Sequence, residues 1–121
     1  MPGFKEIHSL EGRRSEALKI TQRYPDRIPI IIEKGHCDLR DISKNKFLVS
    51  RDMTMGQFVF TIRRRIELDS SQSLFVMVVA KGGDGRLISS NVLMSKVQDD
   101  HTDEDGFIYM IYTSENTFGH M

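Results

Sequence analysis

Apolar residues in this chain recur with two different periods. Met55, Phe58, Val59, Ile62 and Ile66 follow the three-to-four-residue spacing that puts side chains on one helix face. Thr54 and Gln57 stand where a capping box would satisfy that helix's first free N–H groups. Arg63, Arg64 and Arg65 fall in its last turns, where the helix dipole favours cations. A weaker stripe of Leu10, Ala17, Leu18 and Ile20 predicts a polar helix over Ser9 to Arg23, weakened by Gly12 and stopped by Tyr24-Pro25-Asp26. Four other stretches read as strands: Ile28 to Glu33, Lys46 to Arg51, Leu74 to Ala80 and Phe107 to Thr113. Pro29 would cost a ladder hydrogen bond in mid-sheet, so it predicts a strand end or edge. Leu74 to Ala80 is apolar throughout and predicts a central strand covered on at least one face.

The segments between are polar. Lys81 to Ser90, with Gly82, Gly83 and Gly85, predicts a mobile loop and lacks the spacing of a phosphate cradle. Asn91 is placed to cap a short helix holding Val92, Leu93, Met94 and Val97. The acidic run from Asp99 to Gly106 hints at a calcium loop. It fails that pattern, because His101 stands in the first Asp position and Tyr112 in that of the bidentate Glu; a charged turn is predicted. The element order is helix, strand, strand, helix, strand, short helix, strand. It predicts an α+β fold of the β-grasp type, with a four-stranded mixed sheet, a central helix across one face, and first and last strands in the middle.

Composition narrows the function classes. A chain of 121 residues with 39% hydrophobic and 28% charged residues reads as one soluble domain. Its longest apolar run is far short of a membrane span. There is no apolar signal segment, Gly3 is misplaced for myristoylation, and no Cys near the end suits prenylation. Membrane attachment would therefore need other chemistry. Cys37 is the sole cysteine, which fits a reducing, cytosolic compartment. His36-Cys37-Asp38 are sequence neighbours and rarely face one another, so Cys37 reads as a loop thiol rather than a nucleophile. Net charge is zero but uneven: residues 1–65 hold 14 Lys/Arg and 8 Asp/Glu, whereas residues 66–121 hold 3 and 9. Such a basic half suits an acidic peptide or protein. Nucleic acid is disfavoured, since aromatic nucleic-acid signatures are absent from it.

After the last strand the chain runs into a polar tail, Ser114 to Met121, containing Gly119. Without a Cβ, Gly119 can thread a narrow enzyme channel, and its carboxylate would be free of shielding once His120 and Met121 were removed.

Three segments together resemble one family. They are Arg23 to Lys34, then Lys46-Phe47-Leu48-Val49 with Thr54 to Ile66, and Asp105 to Tyr109 with Glu115 to Gly119. Their order and content are similar to the autophagy-related protein 8 modifiers, of the GABARAP and microtubule-associated protein light chain 3 type. The likeness runs from about residue 9 to the tail. It implies a ubiquitin-like fold with an N-terminal helical extension over residues 1–23, a ubiquitin-like domain over 24–113 and a flexible tail over 114–121. It also implies a modifier with no catalytic site, metal or cofactor. A cysteine protease would trim the chain to Gly119, with Phe118 helping to position the tail. Activating and conjugating enzymes would then pass Gly119 to the amine of phosphatidylethanolamine. The expected state is a monomer in the cytoplasm, moving to autophagosome membranes when lipidated.

The second implied activity is recognition of aromatic-x-x-aliphatic motifs on cargo receptors. The resemblance assigns Glu16, Ile20, Pro29, Ile31, Lys46, Leu48 and Phe107 to an aromatic pocket. It assigns Phe47, Val49, Met53, Phe58 and Ile62 to an aliphatic one. Arg27, Lys44, Lys46 and Arg65 would meet acidic residues flanking the motif. An exposed edge along Phe47-Leu48-Val49 could accept the peptide as an added strand. Ser50 and Thr61 depart from the family pattern at the aliphatic pocket, the loop near residues 82–85 looks longer, and the segment before Ser9 matches poorly. The alternative is an unprocessed peptide-binding β-grasp adaptor in vesicle traffic.

Overall fold

The computed structural model describes residues 3–80 and 82–114. The predicted tail residues Phe118 and Gly119 lie outside that range. Element order is α1 (Phe4–Ile7), α2 (Leu10–Arg23), β1 (Arg27–Lys34), β2 (Lys46–Ser50), α3 (Met55–Arg65), β3 (Phe75–Val79), β4 (Gly85–Leu87), α4 (Met94–His101) and β5 (Ile108–Thr113). The strands form one mixed sheet in the order β2-β1-β5-β3-β4. First and last strands pair in parallel at its centre, and the other pairings are antiparallel.

The run of isoleucines in β1 explains the layering, because alternate side chains leave opposite faces of a strand. Ile28, Ile30 and Ile32 join the large core cluster with Met55, Phe58 and Ile62 of α3. Ile31 joins a smaller cluster on the other face, with Phe4, Ala17, Phe107 and Tyr109. A strand covered on both sides must be apolar at consecutive positions, as this one is. Pro29 sits where β1 has only one neighbour in register: it faces Leu48 of β2, and the ladder to β5 begins at Ile30.

Helix α3 follows its sequence signals. Thr54 Oγ1 accepts from the Gln57 N–H at 3.1 Å, and Gln57 Oε1 accepts from the Thr54 N–H at 2.9 Å. Met55, Phe58, Ile62 and Ile66 are buried and Val59 packs at the cluster's margin. Burying such side chains contributes roughly 1.5–3 kcal/mol each.

Three expectations need correction. Among the described residues the sheet has five strands, not four, because the supposed loop at 81–90 turns back on β3. Gly82 and Gly83 take φ of 94° and 92°, and the Ala80 N–H bonds to the Asp84 carbonyl, so Gly85–Leu87 pairs with Met77–Val79. A three-residue strand has too few positions to show alternation. Second, α4 begins at Met94 rather than after Asn91. Asn91 accepts from the Ser89 hydroxyl, and the backbone of residues 92–94 bonds to Met53 and Met55 before the helix starts. Third, within the N-terminal helical extension implied over residues 1–23, the predicted helix from Ser9 to Arg23 is preceded by a separate short one, α1.

Candidate functional site

Among the described residues β2 is an edge strand, with β1 on one side and no strand on the other. Its side chains alternate: Phe47 and Val49 are buried toward α3, whereas Lys46, Leu48 and Ser50 face the opposite side. The antiparallel register sets Leu48 beside Pro29 and Lys46 beside Ile31. Above this strip lies α2, whose Glu16 and Ile20 are one turn apart and share a face. Glu16 and Lys46 form an ion pair across the gap, each partly exposed. Phe107, immediately before β5, packs with Ile31 and Ile20 beneath. The seven residues assigned to the aromatic pocket thus come from α2, β1, β2 and the position just before β5, all on the α2 side of the sheet. Ile31 and Phe107 are fully covered, while Leu48 is 37% exposed.

The aliphatic group is not brought together as one surface. Phe58 and Ile62 are 0% exposed and belong to the main core, so in this state they support the edge from below rather than line a pocket. Phe58 meets Phe47 edge-on at 5.8 Å. Helical spacing could not separate the two roles, since a core stripe and a pocket floor use the same period. Beside them is an open groove of about 770 Å³, lined by Ser50, Asp52, Met53, Thr54, Gly56, Gln57, Phe60, Thr61 and Ser90. Of the aliphatic group, only Met53 reaches it. Phe60, 59% exposed, was missed by the sequence reading. Its position off the apolar stripe of α3 was the available signal.

The assigned cations divide. Lys44 Nζ lies 5.4 Å and the Arg65 guanidinium 5.5 Å from the Phe47 ring centroid, so both stand over that residue of β2. Arg27 is exposed at the other end, in register with Ser50.

The N-terminal helices are fastened by the acidic turn before β5. Asp105, buried, accepts from the Phe107 N–H at 2.9 Å and the Tyr109 hydroxyl at 2.5 Å, with Arg13 Nε at 3.4 Å. Arg14 faces Glu104 and Lys5 faces Asp103. Burial alone would raise the Asp103 carboxyl, but hydrogen bonds from Lys5 and the Asp105 backbone, with the Lys5 charge, outweigh it and hold it below its ordinary value. Burial, followed by the Asp105 carboxylate, pushes the Tyr109 phenol well above its usual range. Gly106 takes φ of 97° with its absent Cβ only 3.0 Å from that of Ala17, so this turn requires glycine where it touches α2.

Cys37 is partly buried and lines a second cavity of about 490 Å³ with Lys34, Gly35, His36, Asp38 and Ser114. Among the described residues no group of three or more His, Cys, Asp or Glu is arranged to hold a metal ion. No helix among them is long and apolar enough to cross a membrane.

A mixed sheet with α3 across one face, and a helical layer added to the other, defines a ubiquitin-like protein with an N-terminal extension. The family described as "Autophagy protein Atg8 ubiquitin like" matches residues 12–119. This chain belongs to the Atg8 family of autophagy-related, ubiquitin-like proteins. It is 48% identical over 117 residues to autophagy-related protein 8a of Arabidopsis thaliana, covering 96% of this chain and 92% of that protein. It is 47% identical over 119 residues to autophagy-related protein 8 of Mycosarcoma maydis, covering 98% and 97%. The crystal structure of Trypanosoma brucei ATG8 superposes with a TM-score of 0.84 at 39% identity, covering 98% of this chain and 99% of that one.

Proposed function

We propose that this chain is a lipid-conjugated modifier that recruits motif-bearing proteins to autophagosomal membranes. The observation carrying the recruiting half is the open edge of β2, flanked by the strip of Glu16, Ile20, Lys46 and Leu48. An extended peptide adds to that edge as a strand, giving main-chain hydrogen bonds, and its alternate side chains supply specificity. An aromatic residue seats between α2 and β2, and an aliphatic one near Phe47 and Met53. Lys44 and Arg65 attract acidic residues beside the motif, so binding weakens with added salt. The partners are cargo receptors and autophagy factors; the chain itself is no enzyme.

The modifying half rests on family membership and on Gly119, which is the last residue of the family match. A cysteine protease removes His120 and Met121. The Gly119 carboxylate is activated by a nucleoside triphosphate as an acyl-nucleotide and passed to an enzyme thiol with release of the nucleotide. It is then held as a thioester on a conjugating enzyme, and transferred to the amine of phosphatidylethanolamine with release of the enzyme thiol. Two acyl chains anchor far better than one, which supplies membrane attachment without a spanning helix. The chain is then cytoplasmic when free and membrane-bound when conjugated.

Gly119→Ala tests the conjugating half. Incubated with the processing, activating and conjugating enzymes and phosphatidylethanolamine vesicles, the wild type gains a phospholipid and the variant does not. Normal lipidation of the variant would overturn Gly119 as the reactive end. Peptide titration of the same variant tests the recruiting half separately, and should be unaffected.

A further inference from the structure

Phe4 is buried in the same cluster as Ile31 and Phe107, next to Lys46, where the aromatic pocket is proposed. It is the buried residue of the four-residue α1 and is 5% exposed; Ile7 of the same helix is 62% exposed. Its ring meets Phe107 edge-on at 5.4 Å and lies 6.4 Å from Tyr109. Lys46 Nζ, already paired with Glu16, stands 5.5 Å from the Phe4 centroid. The Phe4 N–H donates to Glu33 Oε2 at 2.7 Å, and Lys5 reaches Asp103 at 2.6 Å.

Ile31 and Phe107 form the floor that an incoming aromatic ring would touch, and neither has exposed surface. Both lie in the same buried cluster as Phe4. A ring arriving from a peptide must therefore take apolar surface that Phe4 holds. A helix of four residues has no stability of its own, so α1 stays docked only through Phe4 and its few polar ties.

We propose that Phe4 is the resident occupant of the aromatic pocket and a specificity-determining residue of the peptide groove. A bound aromatic displaces it, and α1 is released. This inference rests on the peptide-binding reading above. The apparent affinity of any motif is reduced by the fraction of molecules in which Phe4 is seated. An anchor must outcompete a phenylalanyl side chain, so the groove favours Trp, with its larger apolar area, over Tyr and Phe.

The chain contains no Trp, so Phe4→Trp installs a single indole at the site, excited apart from the tyrosines. The probe is a Trp-free acidic peptide bearing Phe-x-x-Leu with a fluorescein label, whose anisotropy reports binding independently. At saturation, emission from the introduced indole should shift to the red and become accessible to iodide. Phe4→Ala should bind the peptide about fivefold more tightly or better. An indole that stays blue and protected in the saturated complex, or Phe4→Ala that binds equally or more weakly, would overturn the proposal. Should Phe4→Ala fail to fold, Glu33→Ala removes the carboxylate holding α1 and is expected to tighten binding in the same direction; unchanged or weaker binding there overturns the proposal as well. Failure of the underlying reading looks different: no anisotropy change with wild type or any variant, which removes the groove and the occupant role together.

Discussion

The two faces of the central strands are covered in contrasting ways. On one, α3 lays Met55, Phe58, Ile62 and Ile66 on the isoleucines of β1, with no polar group needed at the contact. On the other, α1 and α2 make a smaller apolar cluster and are tied down by Arg13–Asp105, Arg14–Glu104, Lys5–Asp103 and Glu16–Lys46. The first face is built for stability. The second leaves partly exposed groups beside an open strand edge, which is what a recognition surface needs: apolar area that is accessible, and charges at its rim that orient a partner.

Truncation on the sealed face should produce the largest loss. Phe58→Ala is expected to cost about 3–5 kcal/mol in urea or thermal unfolding, since it removes a fully buried ring. A loss below about 1 kcal/mol would mean that α3 is not the principal stabilising layer.

On the polar side, Asp105→Ala comes next, at about 3 kcal/mol, because it leaves the buried Arg13 unpaired and strips two hydrogen bonds. Among the described residues, Arg13 Nε and Nη1 have no hydrogen-bond acceptor in any case. Adding Arg13→Met to Asp105→Ala should therefore recover part of the loss. No recovery would show that the clamp acts through Asp105 alone.

The sealed face also carries a pH signature. Burial first, and the Asp41 charge after it, push the Tyr112 phenol up to about 12, while its hydroxyl donates to the Arg40 carbonyl at 2.7 Å. The folded state keeps a proton that the unfolded chain releases near its ordinary pKa of about 10. Its stabilising contribution is full below that pH and disappears as pH rises to about 12. Tyr112→Phe should flatten the alkaline slope of stability; an unchanged slope would assign it to other groups, Tyr109 first.

Leu48→Ala sharpens the contrast with the smallest effect on stability. It should change unfolding by less than about 0.5 kcal/mol while weakening a motif peptide by about tenfold or more. Equal effects on both would erase the distinction between the two faces.

That distinction explains what was legible in the chain. The sealed face announces itself through period: the stripe of α3, its Thr54–Gln57 cap and the isoleucines of β1 are each local signals. The residues assigned to an aromatic pocket could be named only through resemblance, because Glu16, Pro29, Lys46 and Phe107 lie far apart in sequence and come to one side of the sheet only through strand register and helix docking. Phe4 escaped because a four-residue helix has too short a stripe to detect, and β4 escaped for the same reason. Phe58 and Ile62 show the opposite limit, where a clear pattern fixes burial without saying which side of a wall a residue serves. The acidic run at 99–106 looked like a solvated turn, and its task of holding α1 and α2 depends on partners some 90 residues away.

The most direct test of the modifier reading is the intact mass of the chain recovered from native cytosol and from membranes. Loss of His120 and Met121, with a membrane form heavier by one phospholipid, is the predicted result. One unprocessed mass in both fractions would contradict it, and would leave the unconjugated peptide-binding adaptor as the reading to test.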